Sequence, residues 1–365
     1  MREIVRSIIV LTGLVGCGGE PTCIEVDVGP ATYLAIKESG GDWRTVDLAD
    51  GEASVCVDRE YVMLLVCDVS MASNLSVVQF AGTPGEQIDL GFCSSGAPRT
   101  LSVGGTMVQP GEILVGGAVD SSFAPNWSFD VRVRPGLHDL IATELLGTDQ
   151  PLVAIRRNLM IDEDTIEPPI DLEMEGIPTV EVPVTVGGFI AGESIDVVVI
   201  LETERSQSTI SSNSNPIANV LPPSSLSESD HQYVNASSST DSLSRTVIID
   251  ANLLEPIELP PALDDVLFEQ TSAGLAASWG QLPPIEFELA ILASASRAAD
   301  HQVFVIASKR WLEATGATSL VLDPTAPAFD PQWILPGSDA FSDVRLEGSA
   351  GNASFVTSKR HSPPK

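Results

Sequence analysis

The sequence predicts an all-β protein assembled from tandem β-sandwich modules, of Ig-like or transthyretin-like kind, and three observations predict it. Apolar residues recur with a period of two. Phe129, Val131 and Val133 alternate with Asp130, Arg132 and Arg134; Val180, Val182, Val184 and Val186 alternate with Thr179, Glu181, Pro183 and Thr185; Ile195, Val197, Val199 and Leu201 repeat the pattern. Such alternation puts one strand face in a core and the other in water. The 29 Gly and 26 Pro recur between these runs and mark turns. Helical patterning is scarce, confined to a turn or two at 309–314 and 261–268. Many short strands with regular turns read as sandwiches.

The N-terminus reads MREIVRSIIVLTGLVGC. Arg2 and Arg6 form a short positive region, partly offset by Glu3, and Ser7 to Val15 form an apolar run too short to span a bilayer. The run ends in Leu14-Val15-Gly16-Cys17, which resembles the lipobox of bacterial lipoproteins. That resemblance implies a signal peptide over 1–16, removed on export. It also implies a Cys17 that becomes the acylated first residue, with palmitate-type chains on its thiol and amine. Each buried CH₂ contributes roughly 0.8 kcal/mol, so two or three chains hold firmly where one does not. Gly18 stands where lipoproteins retained at an inner membrane commonly carry Asp, so the resemblance favours the outer membrane of the cell envelope. No later stretch reaches 18 apolar residues.

With a formal charge of −31, and a signal contributing +2 − 1 = +1, the mature chain is near −32. Nucleic-acid binding needs Lys/Arg patches that release counterions, and this balance argues against it. It argues equally against peripheral attachment to anionic lipid. Removing Cys17 from the five Cys leaves Cys23, Cys56, Cys67 and Cys93, an even number. In an oxidising compartment this reads as two disulfides. Three connectivities are open. Cys23 follows the polar phase of Glu25 and Asp27, and Cys56 shares phase with Ser54 and Asp58, which favours Cys23–Cys56 and leaves Cys67–Cys93.

The module order expected is a lipidated tether at 17–22, a disulfide-containing β-module at 23–95, a second sandwich at 96–176, and a C-terminal β-sandwich region at 177–365. In the first, a GGDW turn precedes a strand pair, an arrangement similar to prealbumin-like and carboxypeptidase-regulatory modules. In the second, RVRPGLHDLIA resembles the strand–Pro-Gly–strand hairpin of those modules. In the third, LAASW followed by LPP and a new strand resembles fibronectin-type sandwiches. Residues 206–244 hold 14 Ser among 39; HQYVNA and RTVIID read as a hairpin, and 206–230 as a long exposed loop. The basic tail TSKRHSPPK is expected to fray.

Short catalytic motifs are missing: there is no GxSxG, HExxH or phosphate-binding loop. Neither His138, His231, His301 nor His361 has a His or Cys at metal-ligand spacing. His138 and Asp139 are adjacent on an expected strand, so they should face opposite sides. Asp162, Glu163, Asp164 and Glu167 form the densest acidic cluster, without the Asp-x-Asp-x-Asp-Gly loop of a Ca²⁺ site. No catalytic residue, metal or cofactor is assigned. The expected role is a non-enzymatic envelope lipoprotein, tied to the bilayer through Cys17, that binds an envelope protein or glycan or serves as a structural component. The alternative is an envelope hydrolase whose site is assembled from distant residues. The GGEPT tether reaches about 20 Å at most. It therefore places the first module against the membrane, with any partner surface on 177–365.

Overall fold

The expected alternation becomes burial in two of the three runs; in the third, Val180 is exposed, Thr179 is buried and the run splits into the short strands Val180–Pro183 and Val186–Gly187. Strand Ser128–Val133 buries Phe129, Val131 and Val133 and exposes the residues between them, and strand Ser194–Glu202 buries Val197, Val199 and Leu201. The computed structural model describes residues 22–27, 31–48, 52–69, 74–86, 100–115, 122–124, 128–144, 150–251, 256–296, 301–335, 340–350 and 352–361. The expected signal segment 1–16, Cys17, Cys93 and Trp127 lie outside them.

A twelve-stranded sheet organises the chain. Its spatial order is Gln207–Asn213, Ser194–Glu202, His231–Ser239, Leu243–Asp250, Ala353–His361, Ala340–Ala350, Leu289–Ser296, His301–Ser308, Asn74–Gly82, Tyr61–Val69, Tyr33–Glu38 and Arg44–Thr45. All neighbours are antiparallel except His301–Ser308 and Asn74–Gly82, which run parallel from His301↔Leu75 to Ala307↔Ala81. Strands of the expected first and third modules therefore share one sheet. The joining strands are apolar on both faces: Val77, Val78, Phe80, Val303, Phe304 and Val305 are all buried. A strand of that kind is not stable as a solvated edge, and pairing removes the edge. Residues 289–361 consequently lie beside the first module and do not project beyond it.

One face of this sheet carries the main core, including Val66, Val199, Val234, Val247, Leu292, Val305, Val344 and Leu346. The three-stranded sheet of Val266–Thr271, Gly274–Trp279 and Ser319–Leu320 supplies Val266, Ala277, Trp279 and Leu320 to the same core. Helix Lys309–Thr315 also packs there through Leu312; Ser308 caps its start by accepting from the Trp311 amide, and Gly316, at φ +67°, ends it. Among the described residues the opposite face is covered over its Tyr33-side half. There a two-stranded ladder, Thr22–Asp27 with Glu52–Val57, lays Ile24, Ala53, Val55 and Val57 over Ile36, Met63, Leu65, Phe80, Phe304 and Ile306.

Residues 101–172 close a core of their own: Leu101, Val103, Phe129 and Val131 face Leu140, Ala142, Ala154 and Ile161. The two layers are the sheet Ser128–Val133, Leu101–Thr106, Thr165–Ile166 and the sheet containing Gly111–Val115, Gly136–Glu144 and Leu152–Ile161. Strand Gly136–Glu144 is buried on both faces, because Ile141, with Val153 of its neighbour, joins the main core beside Ile210 and Ala218. The second sandwich is thus docked through apolar side chains.

Four local expectations change. Pro135-Gly136 is not a hairpin turn, since Ser128–Val133 pairs with Leu101–Thr106 while Gly136–Glu144 pairs with Leu152–Ile161. The dipeptide instead carries the chain between the two layers, with Gly136 at φ +143°. Residues 261–268 form a turn entering strand Val266–Thr271, not a helix. The stretch 206–230 is not an open loop: it forms strands Gln207–Asn213 and Ile217–Val220 and a 3₁₀ turn at Pro223–Ser225. Ser208, Ile210 and Ser211 are buried there, and small hydroxyl side chains fit against a neighbouring layer where larger polar ones would not. The tail does not fray through 353–361. It is an inner strand, with Thr357 fully buried and donating to the Pro261 carbonyl at 2.9 Å.

Candidate functional site

The other half of that face of the large sheet carries polar rows interleaved with the apolar side chains Val198, Ile200 and Ile248, and Ser358 within it is buried. One register row crosses it. Ser194, Ser239, Ser244 and Ser358 sit opposite one another on four adjacent strands, followed by Arg345. The same row continues as Ile291, Ile306, Phe80, Met63 and Ile36 beneath the covering ladder. Polar and covered halves therefore meet at strand Ala340–Ala350. The next row on this face holds Asp196, Ser237, Thr246, Val356 and Glu347. Ser194 donates to the Ser239 carbonyl at 3.2 Å and Ser212 to Asp196 Oδ1 at 3.0 Å, so hydroxyls bridge between strands. At the border Asp343, Arg345 and Glu347 alternate along one strand, with Arg345 Nε 2.9 Å from Glu347 Oε1. Burial pushes both carboxyls up from their ordinary values, and the neighbouring Arg345 offsets only part of that.

Two buried ion pairs hold the loops at the margins. Arg245, 2% exposed, donates from Nε to Glu193 Oε1 at 2.9 Å and from Nη1 to the carbonyls of Gly188 at 2.7 Å and Pro260 at 3.0 Å. Its Nη2 pairs with the other Glu193 oxygen, which also accepts the Ile190 amide at 2.8 Å. Burial pushes the Glu193 carboxyl up, but the Arg245 and Ile190 hydrogen bonds outweigh it and hold the group below its usual range. This network fixes a loop that carries exposed Phe189 and Ile190 between Gly188 at φ +78° and Gly192 at φ +91°. The second pair joins the 101–178 sandwich to the rest. Arg157 donates from Nη1 to Asp230 Oδ1 at 2.9 Å and lies 4.0 Å from Asp139. Asp230 also accepts the Ser227 amide at 2.8 Å; burial raises its pKa, and these bonds more than reverse the rise.

His138 and Asp139 sit at an irregularity of their strand. The register slips between His138 and Leu140, a β-bulge, and both residues are buried. Asp139 accepts the amide of Asn158, which sits at φ +58°, and His138 Nε2 donates to the Arg134 carbonyl at 2.6 Å. Both are thus occupied in shaping the bulge. The acidic cluster is dispersed: Asp164 accepts the Ser102 amide at 2.8 Å, Glu167 lies 3.6 Å from Arg156, and Asp162 and Glu163 are exposed. Among the described residues no group of three or more His, Cys, Asp or Glu is placed to hold a metal. A core cavity of about 10 Å³ beside Leu292, Ser294 and Val303 holds no more than one water. A cleft of about 270 Å³ opens beside Asp264, Asp265 and Gln281.

Of the cysteines, Cys23 and Cys56 are directly opposed in register and disulfide-bonded, as their shared polar phase indicates. Cys67 is buried and disulfide-bonded; Cys93 lies outside the described residues. No described helix is long and apolar enough to cross a membrane. The ion pairs escaped the reading of the sequence, although one signal was present: Arg245 shares the inward phase of Val247 and Ile249, and a lone Arg at such a position calls for a buried partner.

No family's sequence pattern matches the chain, and no curated protein matches it. Among solved structures it is similar to the FN1–FN3 domains of chicken CNTN1, at 12% identity over 94% of this chain and 95% of that one, with a TM-score of 0.19. It is also similar to a tetra-tandem repeat from the extending region of a large adhesion protein, at 10% identity over 93% and 94%, with a TM-score of 0.15. Neither likeness is close enough to carry an argument about function. The chain is all-β, built of packed sheet layers.

Proposed function

We propose that the chain is an exported lipoprotein without a catalytic site of its own, held to the cell envelope by acylated Cys17. Its β body is a platform whose uncovered sheet face meets an envelope protein or glycan. The carrying observation is that face: hydroxyl side chains aligned across four adjacent strands, accessible at Ser194, Ser239 and Ser244 and buried at Ser358, backed by the main core and outside the ladder that covers the other half. Paired cysteines support export, because disulfides persist in oxidising compartments. The outer membrane is the preferred address on the residue after Cys17, and the Cys67–Cys93 pairing belongs to the same proposal.

Two measurements test it. Cys17→Ala is expected to move the protein from the membrane fraction to the soluble one, and unchanged retention would remove the anchor from the proposal. The double variant Ser239→Arg, Thr246→Arg puts two long cations on half-exposed positions of the face. Capture from native envelopes, quantified against the unaltered chain, should lose at least tenfold of its specific partners. Equal capture by both proteins moves the binding surface elsewhere.

A further inference from the structure

We infer that the Cys23–Cys56 disulfide is a force clamp, placed so that tension entering through the N-terminal tether bypasses the two-stranded ladder it would otherwise peel open. The inference rests on the proposed anchor for its biological meaning and on the register for its mechanics. Strand Thr22–Asp27 is the first described strand, so among the described residues a pull from the N-terminal side enters at Thr22. That strand pairs with Glu52–Val57 and with no other described strand, and the two form an isolated two-stranded ladder outside the twelve-stranded sheet. A lone ladder is the least stable kind of sheet, and tension on a strand end opens its pairs one at a time. The loaded end is the Thr22↔Val57 pair, and Cys23↔Cys56 is the pair immediately behind it.

Without the covalent bond, opening would run from Thr22↔Val57 to Asp27↔Glu52 and lift Ile24 from its place over the core of Met63, Leu65 and Phe80. Load would then reach the large sheet only at Tyr33–Glu38. With the bond in place, opening stops after one pair. Tension crosses from Cys23 Sγ to Cys56 Sγ and passes along the backbone to Tyr61–Val69, a strand flanked on both sides in the large sheet. The closed loop between the cysteines, 33 residues apart in sequence, carries none of it. Both cysteines are solvent-exposed, on the face of the ladder turned away from Ile24 and Val55, so a dithiol reductant can remove the clamp without unfolding the core.

The test is single-molecule pulling on an unacylated chain beginning at residue 17, with one handle coupled to the Cys17 thiol and the other at residue 365. The same molecules are measured before and after addition of a dithiol. In the oxidised protein the first event should be opening of the large sheet. After reduction a new, earlier event at less than half that force should appear, releasing up to about 40 Å of contour as the 11 residues from Thr22 to Thr32 extend at ~3.6 Å each. The variant Cys23→Ala, Cys56→Ala should show the early event with no reductant. An early event of equal force and length before and after reduction overturns the clamp. So does its absence in both states. Neither outcome touches the anchor, which membrane retention of Cys17→Ala decides separately.

Discussion

A chain stopped at residue 352 is expected not to fold. Strand Ala353–His361 is paired on both sides, with Leu243–Asp250 from Leu243↔Lys359 to Ile249↔Ala353 and with Ala340–Ala350 from Ser342↔His361 to Ala350↔Ala353. Removing it splits the twelve-stranded sheet between its fourth and sixth strands and bares two edges. It also removes Phe355 from the main core, where truncation of one Phe alone costs about 3–5 kcal/mol. It strips the partners of Pro261, Asp264 and Ser242 carbonyls, now held by Thr357, Lys359 and Arg360. The sum exceeds the net stability of an ordinary domain, about 5–15 kcal/mol. Circular dichroism and limited proteolysis report the outcome. A cooperative melt within a few degrees of the full chain would show that the C-terminal strand is dispensable.

The second large effect is expected at Arg245. Arg245→Met leaves the Glu193 carboxylate buried without its cation, and breaking such a pair costs about 3–5 kcal/mol. The pH dependence carries the sign. In the unaltered chain the Glu193 pKa is depressed, so its contribution is present above the ordinary Glu value of about 4.5 and is lost as pH falls through the folded value. In the variant the Arg245 contribution is gone while the Ile190 amide still opposes burial, so that pKa rises, the folded state takes up a proton as pH falls and the penalty shrinks. Urea unfolding at pH 7 and pH 4 should therefore show a larger deficit at pH 7. Adding Glu193→Leu should restore most of the loss, because apolar replacement of a whole buried pair is close to neutral. A deficit below about 1 kcal/mol at pH 7, or one independent of pH, would assign the pair a negligible role.

The proposed function and the fold draw on different parts of the chain. The anchor is read from 17 N-terminal residues, whereas the candidate face comes from strands between Ser194 and His361 that meet only in the large sheet. The clamp links the two, since the Cys23–Cys56 bond stands between the tether and the strands that build the platform.

Local chemistry in the sequence determined many of the strands and, at Ser128–Val133 and Ser194–Glu202, which side is buried; at 180–186 it did not, since Val180 is exposed and Thr179 buried. Period-two alternation is a property of neighbouring residues, so Phe129, Val131, Val133, Val197, Val199 and Leu201 were legible as core positions. The Cys23–Cys56 pairing was legible for the same reason, because side-chain phase survives into the ladder. The helix at Lys309–Thr315 followed from its short helical pattern. Only the tertiary structure decided which strands become neighbours. Nothing local in HQVFVIAS indicates that it runs parallel to NLSVVQF more than 200 positions away; two doubly apolar strands need partners, and chain geometry chooses which. The same holds for Arg157 with Asp230, for the bulge at His138 and Asp139, and for the Ser-rich stretch that became strands. Small hydroxyl residues are compatible with loop, edge strand or packed layer, and burial against Ile141 and Val153 selected among these.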